Sequence, residues 1–184
     1  MSRRITTHIV LTGPRAVGKS TLGTAVAASL GCPFIDLDDR VLESFESSSV
    51  KEVWERHGES AWREAEVRVL ASVLDESPSV IALGGGVPTI QEAAELLNDA
   101  RSRGTACVIW LKADPALLAE RLVEDTGDRP TLTGQLPADE IASVCAQRAP
   151  AYESVSDHGL DVGGMDLSTA IQAIHDISND SASP

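Results

Sequence analysis

The stretch GPRAVGKST, residues 13–21, sets Gly13 and Gly18 around four residues and follows them with Lys19 and Ser20. This G-x-x-x-x-G-K-[ST] spacing suits a loop whose backbone N–H groups surround phosphate oxygens, with the lysine reaching the outer phosphates and the hydroxyl available to magnesium. Ala16, Val17 and Thr21 complete the candidate nucleotide-binding loop. A second cluster, DLDD, brings Asp36, Asp38 and Asp39 close behind a short apolar run. Near a terminal phosphate, one carboxylate can organise water on magnesium while another accepts a hydrogen bond from the hydroxyl to be phosphorylated. Taken alone a D-x-D reads better as a solvated acidic turn or a helix cap; the neighbouring phosphate loop reverses that preference. The third feature is Gly84, Gly85 and Gly86 in ALGGGVP. Consecutive glycines are tolerated where a backbone must approach a ligand or adopt positive φ, although a plain turn also fits. Arg63, Arg129 and Arg148 lie beside aromatic or proline residues, where guanidinium groups can grip carboxylate or phosphate with two prongs. Each of them alone reads first as an ordinary surface charge.

These residues need a scaffold, and the apolar pattern supplies one. Val- and Ile-rich runs at 8–13, 32–38, 80–85, 106–113 and, more weakly, 159–164 alternate with longer helical patterns. That alternation predicts a three-layer α/β/α fold on a five-stranded parallel sheet. In such a sheet the ligand crevice lies beyond the carboxyl ends of the strands. Strand alternation is expected to send Asp36 and Asp38 to one side. Leu22, Val26 and Leu30 mark a helix that stops at Gly31, Leu70, Val73 and Leu74 mark another, and further helices are read at 89–100 and 114–125, the last capped by Asp114. Residues 39–60, carrying Phe45 and Trp54, read as a small helical subdomain; residues 124–136 read as a loop rich in Gly, Pro and Thr, and 178–184 as a disordered tail. One domain over residues 1–177 is expected, with an insert at about 38–66.

Composition narrows the partners. Aromatic residues make up only 3% of the 184, so aliphatic side chains must build the core. The formal net charge of −13 argues against nucleic acid or an anionic membrane as a partner, so any anionic ligand must be held locally. Cys32, Cys107 and Cys145 form no C-x-x-C pair and are expected to be buried free thiols. The four histidines show no zinc spacing. No run of about 18 apolar residues and no stretch of signal-peptide length occurs, and a cytoplasmic location is expected.

Taken in order, GPRAVGKST, FIDLDD, VWERHGESAWREAE, ALGGG, DRPTL and RAPAY resemble the phosphate loop, D-x-D, substrate subdomain, glycine triplet, lid and closing arginine segment of the shikimate kinase family. The family's fold is similar to that of nucleoside monophosphate kinases. The resemblance implies transfer of the γ-phosphoryl group of ATP, with magnesium, to the 3-hydroxyl of shikimate by a monomer. It implies that Asp38 binds the shikimate hydroxyls and serves as base, and that Asp36 and Ser20 organise magnesium. Arg63 and Arg148 would hold the substrate carboxylate, with Glu66 orienting Arg63, and Gly84 to Gly86 would run along the substrate. Arg129 would swing from the lid onto the transferring phosphate, Arg121 would flank the adenine, and Lys19 would stabilise transferred charge. Val50, Trp54 and Trp62 would line the acceptor pocket or form the insert's own core. Ala16 stands where the family usually has a third glycine; its methyl group removes no N–H donor, and ATP binding is expected to survive. A gluconate-type kinase and a catalytically silent ATP-binding module remain as alternative readings.

Overall fold

The computed structural model describes residues 5–124 and 137–180. The expected lid beyond Glu124, with Arg129, and the last four residues lie outside them. Five parallel strands form one sheet in the order β2-β3-β1-β4-β5. They are β1 (His8–Thr12), β2 (Phe34–Asp36), β3 (Val80–Ala82), β4 (Ala106–Lys112) and β5 (His158–Asp161). β1 is central, with Val10 in register with Ile81 on one side and Val108 on the other.

Strand alternation divides the core into two layers. Val10, Ile81 and Val108 pack with Leu70, Val73 and Leu97 on one face of the sheet. Ile9, Leu11, Ile109 and Leu111 pack with Leu22, Val26, Leu118 and Ile174 on the other. Side chains one residue apart on a strand point to opposite faces, so continuous apolar runs are what a sheet covered on both sides requires. The three-layer α/β/α expectation is met.

The helices are α1 (Lys19–Leu30), α2 (Leu37–Ser44), α3 (Val50–Leu74), α4 (Gln91–Ser102), α5 (Pro115–Glu124), α6 (Pro137–Val155) and α7 (Leu167–Asp180). α1 ends at Gly31 in the left-handed region, as expected. At the head of α5 the Asp114 carboxylate accepts from the Ala116 N–H at 2.8 Å, which is the anticipated cap. The 39–60 insert is largely helical, and α3 is broken by a kink at Gly58 (φ 82, ψ 164). Phe45 stacks on Trp62 at 6.4 Å and lies 5.3 Å from the His57 ring, and both Phe45 and Trp62 pack into the first core layer.

Three expectations change. The second strand ends at Asp36, and Asp38 and Asp39 belong to the first turn of α2. Strand alternation therefore does not orient Asp38; a helix cap does. α7 continues through Asp180, past the point where a disordered tail was expected to begin. Among the cysteines only Cys107 is buried, because Cys32 and Cys145 sit at the partly covered margins of the second layer.

Candidate active site

The phosphate loop follows β1 and opens α1. Gly18 caps that helix at φ 100, a left-handed conformation that costs an L side chain dearly and glycine little. Ala16 is left-handed too, at φ 60. For alanine this costs roughly 1–2 kcal/mol relative to a right-handed turn. The Lys19 ammonium donates to the carbonyls of Gly13 at 2.9 Å and Pro14 at 2.8 Å, so it lies folded over the loop's concavity. Val17 is buried beneath the loop in the second core layer.

Asp36 joins this loop to the acidic cluster. One of its carboxylate oxygens accepts from the Ser20 hydroxyl at 2.6 Å; the other accepts from the Asp38 N–H at 3.1 Å. The two residues expected at magnesium are thus in direct contact, and the same carboxylate caps α2 and fixes where Asp38 stands.

Around these residues opens a cleft of about 520 Å³ at the carboxyl ends of the strands. Ala16, Gly18, Lys19, Ser20, Thr21 and Arg121 border it on the loop side; Asp36, Asp38 and Gly84 border it opposite. A smaller cavity of about 60 Å³ adjoins it, bordered by Trp54, Trp62, Arg63, Glu66, Gly86 and Arg148. Val50 and Asp38 reach both. Trp62 is buried and Val50 and Trp54 are half-buried against the first core layer. The two readings of these residues therefore coincide: they are the insert's core and the cavity's wall.

The glycine triplet has a steric explanation. A Cβ on Gly84 would stand 2.7 Å from Asp38 Oδ1 and 3.0 Å from Glu66 Oε1, and one on Gly86 would stand 2.5 Å from Arg63 Nη1. None of the three has positive φ, so at Gly84 and Gly86 close approach, not an unusual turn, favours glycine, whereas a Cβ on Gly85 would meet only ordinary contacts.

Arg63 donates to Glu66 Oε2 at 2.9 Å and to Glu59 Oε1 at 3.0 Å. Burial alone would lower the Arg63 pKa, but the two carboxylates more than offset it and the group ends above its usual value. Glu66 is almost fully covered, and burial drives its pKa up while the Arg63 charge opposes. A buried carboxylate this close to a guanidinium fixes its direction, the orienting part expected of Glu66. From α6, Arg148 Nη1 donates to the Gly85 carbonyl at 3.0 Å, and the Tyr152 hydroxyl donates to the same oxygen at 2.7 Å. Tyr152 is buried, which pushes its pKa up to about 12 and keeps the phenol a donor.

A further hollow of about 320 Å³ continues the cleft past Ala16, Thr21 and Arg121 toward Val162, Met165 and Leu167. Met165 and Leu167 are the exposed large apolar residues among those described. Arg121 Nη1 donates to the Ala16 carbonyl at 3.3 Å, which ties α5 to the loop.

Three contributors escaped the sequence reading: Arg15, which borders both the cleft and the small cavity, Tyr152, and the 162–167 turn. A basic residue inside the phosphate loop was the available signal for the first. The others depend on contacts between distant segments and left no local mark.

The arrangement is that of a kinase site, and a family model described as shikimate kinase matches residues 15–177. The chain belongs to the shikimate kinase family. A shikimate kinase from Caulobacter vibrioides is 39% identical over 166 residues, covering 90% of this chain and 79% of that protein. The crystal structure of shikimate kinase from Bacteroides thetaiotaomicron superposes with a TM-score of 0.82 at 30% identity, covering 94% of this chain and 98% of that one. Shikimate kinase from Acinetobacter baumannii in complex with shikimate gives a TM-score of 0.86 at 24% identity over all of this chain and 97% of that one, which shows the common fold. Members of the family are ATP-dependent kinases, and the P-loop kinase fold and phosphate loop seen in this chain are those of the family. Among the described residues no helix is long and apolar enough to cross a membrane.

Proposed function

We propose that this protein transfers the γ-phosphoryl group of ATP to the 3-hydroxyl of shikimate. The observation that carries the reading is the position of Asp38 on the common wall of two cavities, one built on a phosphate loop and the other holding Arg63 and Arg148. A small hydroxy acid seated on the two guanidinium groups would present a hydroxyl to Asp38 with the terminal phosphate beyond it. The acceptor oxygen then bonds to the γ-phosphorus, the bond from that phosphorus to the β-phosphate oxygen breaks, the hydroxyl proton passes to Asp38, and ADP leaves. Lys19 stabilises charge on the transferring group, and alignment of the two reactants supplies much of the acceleration. Ser20 and Asp36 would hold magnesium partly through water, an oxygen-donor set that suits this ion, and the ion would neutralise phosphate charge when bound. The adenine is assigned to the hollow between Arg121 and Met165. Arg129 is assigned to the transferring phosphate from the lid. Net charge supports a reading without nucleic-acid or anionic-membrane partners, and the family resemblance supports a monomer.

ADP release is the decisive assay, with purified protein, magnesium ATP, and shikimate or a panel of sugar acids and polyols. Turnover is expected with shikimate. Turnover with gluconate alone would overturn the acceptor assignment, and ATP binding without turnover on any acceptor would favour a silent module.

Tyr152 gives a finer test. Tyr152→Phe removes one of two donors to the Gly85 carbonyl and with it part of the frame that seats Arg148. The KM for shikimate is expected to rise by about two- to tenfold, the worth of one net hydrogen bond, with the KM for ATP unchanged. Equal rises in both would mark a general loosening of the fold.

A further inference from the structure

The cleft and the acceptor cavity share part of their walls, and a phosphoryl group passing from one to the other must cross where they meet. Arg15, Asp38, Val50, Gly84 and Gly85 border both. Of these five, Asp38 is the acidic member and Arg15 the basic one. We infer that Arg15 is a substrate-contacting cation at the transfer point, engaging the phosphoryl group during its passage and the new phosphate ester afterwards. This rests on the kinase reading above and assigns to a phosphate-loop residue a part in acceptor recognition.

Two observations beyond the shared wall support it. The first is backbone placement: the Arg15 N–H lies 3.7 Å from where a Cβ on Gly85 would stand, so the phosphate loop and the glycine triplet abut at this residue. The second is charge. The charged residues that border the acceptor cavity are Arg15, Arg63 and Arg148 on the positive side and Asp38 and Glu66 on the negative. Without Arg15 those charges cancel, and a monoanionic acid would meet no excess of positive charge. Arg63 is moreover already engaged by Glu66 and Glu59. The product carries a phosphate group in addition to its carboxylate, so its demand for a cation is greater than the substrate's. A guanidinium stays charged throughout and offers paired donors to phosphate oxygens. Arg15 takes no proton in the step; the proton goes to Asp38 as above.

The test compares wild type with Arg15→Ala and Arg15→Lys, after thermal melts establish that each folds. The readouts are kcat, the KM for ATP, and the affinities of shikimate and of its 3-phosphate, followed by the fluorescence of Trp54 and Trp62 at the cavity. Arg15→Ala is expected to lower kcat by about ten- to a hundredfold and to weaken the phosphate ester by about tenfold more than the free acid, the range of one charge-assisted contact. Arg15→Lys should recover part of both. An unchanged ratio of ester to acid affinity would overturn the inference, whether kcat holds or falls together with ATP affinity. Failure of the acceptor reading would show earlier, as wild type that does not turn over shikimate; the ratio would then be measured with the acid that is turned over and its phosphate.

Discussion

Asp38→Asn is expected to lower kcat by about a hundredfold or more, with little change in the KM for ATP, because the amide keeps the carboxylate's shape and loses its ability to take a proton. The backbone of Asp38 is placed by its own N–H, which donates to Asp36, and by the first turn of α2, and an asparagine keeps both. Gly84 adjoins Asp38 so closely that a Cβ there would meet its Oδ1, so the missing side chain at 84 is what leaves Asp38 its place on the shared wall. Steady-state kinetics with shikimate and ATP varied in turn supply the check. A kcat within about threefold of wild type would remove Asp38 from the role of base and leave it an orienting group, since a positioned base contributes at least about a hundredfold.

Asp38 also shows how much of the site was legible in the sequence. Its identity and partnership with Asp36 could be read from DLDD beside a phosphate loop. Its geometry could not, because Asp36 serves equally as the last residue of a strand and as a helix N-cap, and only the helix that follows decides between them. Strands and helices with long apolar periods, such as β4 and α1, were evident, since burial on both sheet faces leaves a continuous signature. The glycine triplet was visible as a demand for space, whereas the atoms demanding it, Asp38 Oδ1 and Arg63 Nη1, come from other segments. Tyr152 is the extreme case. Its partner Gly85 is 67 residues away, and nothing local distinguishes a tyrosine that anchors a carbonyl from one that fills a core.

Arg63→Ala carries the second large effect, and it separates binding from stability. Loss of the guanidinium is expected to weaken shikimate binding by about 2–5 kcal/mol, read as KM for the acid and as affinity by titration, with kcat less affected. It also strands Glu66, whose carboxylate is buried and loses its counter-charge, at a cost of about 1–3 kcal/mol to folding. The pH dependence of that cost has a definite sign. Burial already holds the Glu66 pKa above its usual value and Arg63 opposes the rise, so removing Arg63 lifts it further. A carboxyl group with a raised folded-state pKa favours the native protein at low pH and loses that contribution as pH climbs through the raised value. The melting deficit of Arg63→Ala relative to wild type should accordingly be small in acid and grow toward neutrality. Adding Glu66→Gln should return much of the lost stability at neutral pH, because no buried charge remains, and should return none of the affinity for the acid. Recovery of both would mean that Arg63 serves the fold and that the substrate carboxylate is held elsewhere.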